Sequence, residues 1–202
     1  MFDLLNKGGI IMYFIILLSL VAVVIIIERL IFFRRIRTDE ERMLGRLKST
    51  LEKGHFDEAT AICENNPSPI TNLMRVGIEY KDHPAHVIKD VILDAANLEI
   101  PKLERFLSSL GTIAHIAPLL GLLGTVTGNI RAFGVLGGFG TVGDPGLLAK
   151  GISEALLTTA AGIIVSIPAI VFYNHLVSKV SHIIIRLENR VNELVIFLGG
   201  RD

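Results

Sequence analysis

The chain has 202 residues, half of them hydrophobic, and a mean hydropathy of +0.55. Its apolar residues are bunched into long runs, which excludes an ordinary water-soluble domain. The 20 basic and 20 acidic residues cancel, leaving no basic excess of the kind that binds nucleic acid. The single cysteine, Cys63, cannot form an intramolecular disulfide and is expected to be a reduced thiol.

Three uncharged windows, Gly8 to Ile27, Phe106 to Ile130 and Ala155 to Ser178, each reach the ~20 residues that cross ~30 Å of hydrocarbon. The expected organisation is therefore an all-α membrane protein with three transmembrane helices. Residues 1–8 form an outer N-terminal segment and 9–33 the first span. "RRIR" (Arg34 to Arg37) follows that span directly, Lys102 and Arg105 precede the second, and Lys179 closes the third. By the positive-inside rule the N-terminus faces out and the C-terminus ends in the cytoplasm. The first span reads as a retained anchor rather than a cleaved leader, because its apolar run is long and its basic cluster lies on the far side. Neither end carries a lipidation motif.

Residues 34–105 read as a cytoplasmic helical region with mixed charge. Thr38 with Glu41 suits a capping box ahead of "RMLGRLKSTLEK", which Gly54 would stop. "FDEATAICE" is a short amphipathic helix ended by "NNPSP", and a third helix is expected from about Ile70 to Tyr80. Pro84 suits the first turn of a fourth, expected to continue almost unbroken to Leu136 with a weak point at Pro101. At ~1.5 Å per residue such a helix would be roughly 75–80 Å long. The second span occupies 106–136, and 137–146 ("GGFGTVGDPG") form a short outer loop in which Asp144 could cap the next helix and Pro145 open it. The third span covers 147–178, and 179–202 continue it as a cytoplasmic C-terminal helix. The second and third spans thus extend into a cytoplasmic bundle.

On helical wheels each of these two spans has one small or polar face and one greasy face. In the second, Ala117, Gly121, Gly124, Thr125, Gly128 and Ala132 fall within about 120°, opposite Leu119, Leu122, Leu123, Val126 and Ile130. In the third, Glu154, Ala155, Thr158, Thr159, Gly162, Ser166 and Ala169 share about 140°, opposite Leu156, Ile163, Ile164, Ile167 and Val171. Small residues at this spacing let helix backbones approach, so the glycines read first as a packing face and secondly as a pore lining. Thr127 and Thr158 suit bonds back to their own helix carbonyls. His115 reads as a satisfied packing histidine.

Glu154 is the exception. A charged side chain in hydrocarbon costs ~2.5–3.5 kcal/mol even on lenient scales, and such residues usually face a bundle interior or a water path. If the helix starts at Pro145, Glu154 lies in its third turn, too deep to serve the helix end. Thr125 and Thr159 come to similar depth just below it if the two spans form an antiparallel hairpin. A hydroxyl and carboxylate lining suits protons or water better than a transition metal. The chain has no nucleophile–base pair or phosphate loop, so neither an enzyme nor a bound metal or cofactor is expected.

"APLLGLLGTVTGNIRAF" and "GISEALLTTAAGIIVSIPAIVFYN" resemble the two signature segments of the MotA/TolQ/ExbB proton-channel family, in particular its TolQ/ExbB branch. "ER" (Glu28, Arg29) at the inner end of the first span is similar as well, and the likeness covers nearly the whole chain. It departs at Thr127, where many relatives carry tryptophan. The resemblance implies an inner-membrane stator of a proton-driven motor. It implies a homopentamer whose second and third spans surround a dimeric, single-span ExbD- or TolR-like partner that bears a protonatable aspartate. By motif, Thr125, Glu154 and Thr159 are the pore-facing polar residues. Work on a TonB-like protein for outer-membrane import is the expected output. A TolQ-like role in envelope maintenance through a TolA-like protein, or a non-conducting scaffold, are the alternatives.

Overall fold

The computed structural model describes residues 9–38, 40–137 and 145–199. Of these, 92% are helical and none is in a strand. Seven helices follow in order: α1 (Gly9–Thr38), α2 (Glu40–Glu52), α3 (Phe56–Asn65), α4 (Pro69–Glu79), α5 (Ala85–Glu104), α6 (Leu107–Gly137) and α7 (Pro145–Gly199). Three stretches are long and apolar enough to cross a membrane, Gly9–Arg34, Ala85–Gly134 and Leu148–Ile196. The N-terminal segment 1–8, most of the 137–146 loop with its Asp144 cap, and the Thr38–Glu41 capping box lie outside the described residues and side chains.

The described residues divide into two compact units, one drawn from Met1–Glu28 and Phe106–Leu176, the other from Arg29–Arg105 and Val177–Asp202. In the first, α6 and the first part of α7 bury small residues along one face and turn large ones outward, while α1 buries Met12, Ile15, Ala22, Ile25 and Ile26. Ala117, Ala132, Ala155 and Ala169 are buried, whereas Leu119, Ile130, Leu156 and Ile164 are 62%, 66%, 64% and 69% exposed. Burying a side chain of this size is worth ~1.5–3 kcal/mol, so a surface built this way is suited to lipid or to other apolar chains and not to water.

The second unit buries apolar residues between its helices. Helices α2 to α5 pack in sequence on one another, around Leu47, Leu51, Ala59, Ile70, Leu73, Ile88 and Ile92. The tail of α7 joins this core through Val180, Leu187, Val191 and Leu194 at helical spacing. The approach is close, since a Cβ on Gly77 of α4 would sit 2.6 Å from Leu194 Cδ2 and 3.0 Å from Ile92 Cδ1. Local signals bound these helices. Gly54, at φ +79, supplies the left-handed residue after α2, with Gly54 N donating to Leu51 O at 3.0 Å and His55 N to Thr50 O at 3.1 Å. Ser68 caps α4 in a reciprocal pair, Thr71 N donating to Ser68 Oγ (3.2 Å) and Ser68 N to Thr71 Oγ1 (2.7 Å).

The structure corrects the expectation of one helix from Pro84 to Leu136. Pro84 is the cap before α5 and not part of its first turn. Pro101 stays inside α5, and the break comes one turn later, at Arg105 and Phe106, the latter at φ +64. A tertiary contact explains the position. Arg29 is 2% exposed, and its Nη1 donates to Lys102 O at 3.2 Å and Leu103 O at 3.5 Å. In an unbroken helix those carbonyls would accept from residues 106 and 107. A buried guanidinium takes their place, and charge-assisted bonds are worth about 1.5–3 kcal/mol. That offsets the ~1–3 kcal/mol of a bulky residue held in the left-handed region. Nearby, the buried Glu99 carboxylate accepts from Asn72 Nδ2 (2.9 Å) and Lys102 Nζ (2.7 Å), tying α4 to α5.

Cys63 lies buried in α3. Desolvation pushes its thiol up to about 11; Arg75 opposes the shift and Glu64 adds to it. Because the folded state holds this proton more tightly than the unfolded chain, the stability it confers is intact at neutral pH and is lost only as pH rises towards 11. The thiolate is the reactive species. Native protein at pH 7.5 is therefore expected to be alkylated by iodoacetamide about 100-fold more slowly than denatured protein, as measured by timed quenching and mass spectrometry. Equal rates would mean that Cys63 is exposed.

Candidate functional site

The small faces of α6 and α7 meet each other. Gly121, Gly124 and Gly128 of α6 oppose Thr158, Thr159, Ala155 and Gly151 of α7, and Gly162 opposes Ala117 and Gly121. The clearances are those of backbone on backbone. A Cβ on Gly128 would lie 2.8 Å from Gly151 O, and one on Gly162 would lie 2.5 Å from Ala117 O. The greasy faces expected from the wheels, Leu119 to Ile130 and Leu156 to Val171, point away from this seam and are exposed. Both faces lie where the 3.6-residue turn of a helix directs its side chains.

Hydroxyls stitch the seam. Thr159 Oγ1 donates across to Gly121 O at 3.0 Å, and the buried Ser166 Oγ donates to Ala114 O at 2.7 Å. In an apolar setting such interhelical bonds add to van der Waals packing as the force holding helices together. Other hydroxyls turn inward on their own helices. Thr158 donates to Glu154 O (3.1 Å) and Ala155 O (2.9 Å), and Thr127 to Leu123 O and Gly124 O. Thr125 donates to Leu122 O at 2.6 Å. Thr125 and Thr159, grouped by sequence, therefore engage different partners: Thr125 bonds within α6, while Thr159 bonds across the seam and also back to Ala155 O at 3.3 Å. His115 Nδ1 lies 2.6 Å from Gly111 O, satisfied as expected, but its ring is exposed rather than packed.

Glu154 lies at one end of the seam with a partner that the wheels did not assign. Arg131 Nη1 of α6 donates to Glu154 Oε1 at 2.5 Å, with Glu154 15% and Arg131 57% exposed. Glycine begins α1 at the same place. Gly9 has φ +63, and a Cβ there would strike the Glu154 carboxylate. Three helices thus converge on one carboxyl group. The start of α1 adds a favourable field, since the first turn of a helix carries partial positive charge. What could have found the pair is register: in an antiparallel hairpin joined by a short loop, residues at matching distances from the loop face each other, and an arginine reaches one turn further.

The arrangement defines a class: a multi-pass α-helical membrane protein built on a close, glycine-mediated helix pair, with one carboxylate and several hydroxyls along the contact. A model of the MotA/TolQ/ExbB proton channel family matches residues 65–189, and the chain belongs to that family. It is 35% identical over 184 residues to "Putative biopolymer transport protein ExbB-like 1" of Synechocystis, covering 88% of this chain and 71% of that one. It is 26% identical over 187 residues to a "Putative biopolymer transport protein ExbB homolog" of Methanothermobacter thermautotrophicus, covering 92% and 66%. "Tol-Pal system protein TolQ" of Haemophilus influenzae is 37% identical over 120 residues, covering 58% and 52%. The chain thus spans between about half and seven tenths of the length of these relatives.

Proposed function

We propose that this chain is the channel-forming stator subunit of an inner-membrane motor that converts proton motive force into mechanical work. The observation that carries the reading is Glu154: a carboxylate on the small-residue seam of two apolar helices, in a chain of a proton channel family. An ionisable group in a spanning helix is costly, is paired here with Arg131, and typically marks a water or proton path. In this reading five copies surround the single spans of an ExbD- or TolR-like dimer. Glu154, Thr125 and Thr159 are hydrogen-bonding stations for protons exchanged with that partner. One charge crossing 100 mV releases ~2.3 kcal/mol, enough to bias one step between packed helices and far too little to break a covalent bond. The positive-inside pattern puts the second unit, with α2 to α5, in the cytoplasm and the Glu154 end of the seam near the periplasm.

Likeness over most of the chain to relatives named for biopolymer transport favours an ExbB-like role acting on a TonB-like protein. The 37% identity with a Tol-Pal protein supports a TolQ-like role as the second reading. The test is co-expression with the single-span protein, native mass of the purified complex, and proton flux in vesicles under an imposed potential. The expected result is a pentameric mass with the partner bound, and flux that requires both proteins. A monomeric mass across several mild detergents, or vesicles that stay proton-tight, would leave only a structural scaffold.

A further inference from the structure

We propose that Arg131 is a positioning residue for Glu154, holding its carboxylate against the start of α1 so that the proton path has a fixed end. The inference rests on the channel reading and extends it to a residue outside the polar stripe. Three observations from three helices support it. Arg131 reaches across from α6 to Glu154 of α7 at 2.5 Å. Gly9 leaves space for that carboxylate, which any side chain at position 9 would contest. The carboxylate is mostly shielded while the guanidinium is more than half exposed, so the arginine bridges a sheltered group to the surface.

The chemistry favours arginine for this task. Its guanidinium is planar, always charged and donates through several N–H groups, so it can hold a carboxylate in one orientation. A pair whose guanidinium is more than half exposed is screened by solvent and adds little to stability. Its consequence is therefore geometric: without Arg131 the Glu154 side chain is free to choose other rotamers. Positioning losses of this sort appear in rate far more than in folding.

The experiment measures proton flux per assembled complex, with the single-span partner present and assembly matched by native mass. Arg131→Gln is expected to lower flux about tenfold, and Arg131→Lys to stay within about threefold of the unmodified protein, since it restores the charge with a less directional donor. Lys150→Gln, which removes a nearby exposed cation by sequence, is expected to change nothing. Combining Arg131→Gln with Glu154→Gln should be no worse than Glu154→Gln alone, because residues acting through one another are not additive. Unmodified flux in Arg131→Gln overturns the proposal, and so does full additivity with Glu154→Gln. No flux from the unmodified complex would instead overturn the channel reading itself.

Discussion

Replacing Glu154 by alanine is expected to abolish proton-driven transport while insertion, folding and assembly continue. The structure separates these outcomes. The partner Arg131 is 57% exposed, so once unpaired it can turn to water, and losing a pair of this kind removes no more than ~1 kcal/mol. A positioned proton-transferring side chain, by contrast, typically contributes about 100-fold or more to rate. Glu154→Gln keeps the shape and the hydrogen-bonding capacity but cannot exchange a proton, and should be severely impaired as well. Thr125→Ala and Thr159→Ala should show smaller defects, since ordered water can stand in for a hydroxyl. Their stabilities should differ, however. Thr159→Ala removes the bond to Gly121 O across the seam, a loss of ~0.5–1.5 kcal/mol, whereas Thr125→Ala removes one within α6. Transport at matched membrane abundance decides the matter. A Glu154→Ala protein that transports at the unmodified rate would remove this carboxylate from the mechanism.

Gly128→Leu and Gly124→Leu are expected to prevent the α6–α7 contact from closing, giving protein that inserts but neither assembles nor binds its partner. Alanine is the sharper probe, because the two sites resist a Cβ for different reasons. At Gly128 the obstacles are Gly151 O and Ala155 Cβ, both at 2.8 Å, and the first is backbone that no substitution removes. At Gly124 the obstacle is the Thr158 side chain, including its Cβ at 2.5 Å. Overpacking costs ~1–3 kcal/mol, which for a chain of this size corresponds to about 2–4 °C of melting temperature per kcal/mol. Both alanine variants should therefore melt several degrees lower in detergent. Thr158→Gly should recover much of the loss in Gly124→Ala, while Ala155→Gly should recover little in Gly128→Ala. Equal rescue at both sites would mean that the backbones are not in contact at Gly128.

Long apolar runs, alternating faces and helix punctuation act over one or two turns, and the sequence alone determined them for this protein. The three spanning stretches follow from run length. The inward placement of Ala117, Gly121, Gly124, Gly128, Thr158 and Gly162 follows from helical period. The stop at Gly54 follows from the residue type that adopts positive φ at least cost. Tertiary structure decided the contacts between residues distant in sequence. The break between α5 and α6 falls at Phe106 rather than Pro101 because Arg29, some seventy positions away, takes the carbonyls that an unbroken helix would use. Thr159 crosses to Gly121 while Thr125 turns back on its own helix, a choice set by which carbonyl each hydroxyl meets once the helices touch. Arg131 and Glu154 pair because a hairpin register brings them together at the glycine that starts α1. A wheel assigns directions around one axis. It carries no information about the height at which two axes meet, and that height decides which charge finds a partner.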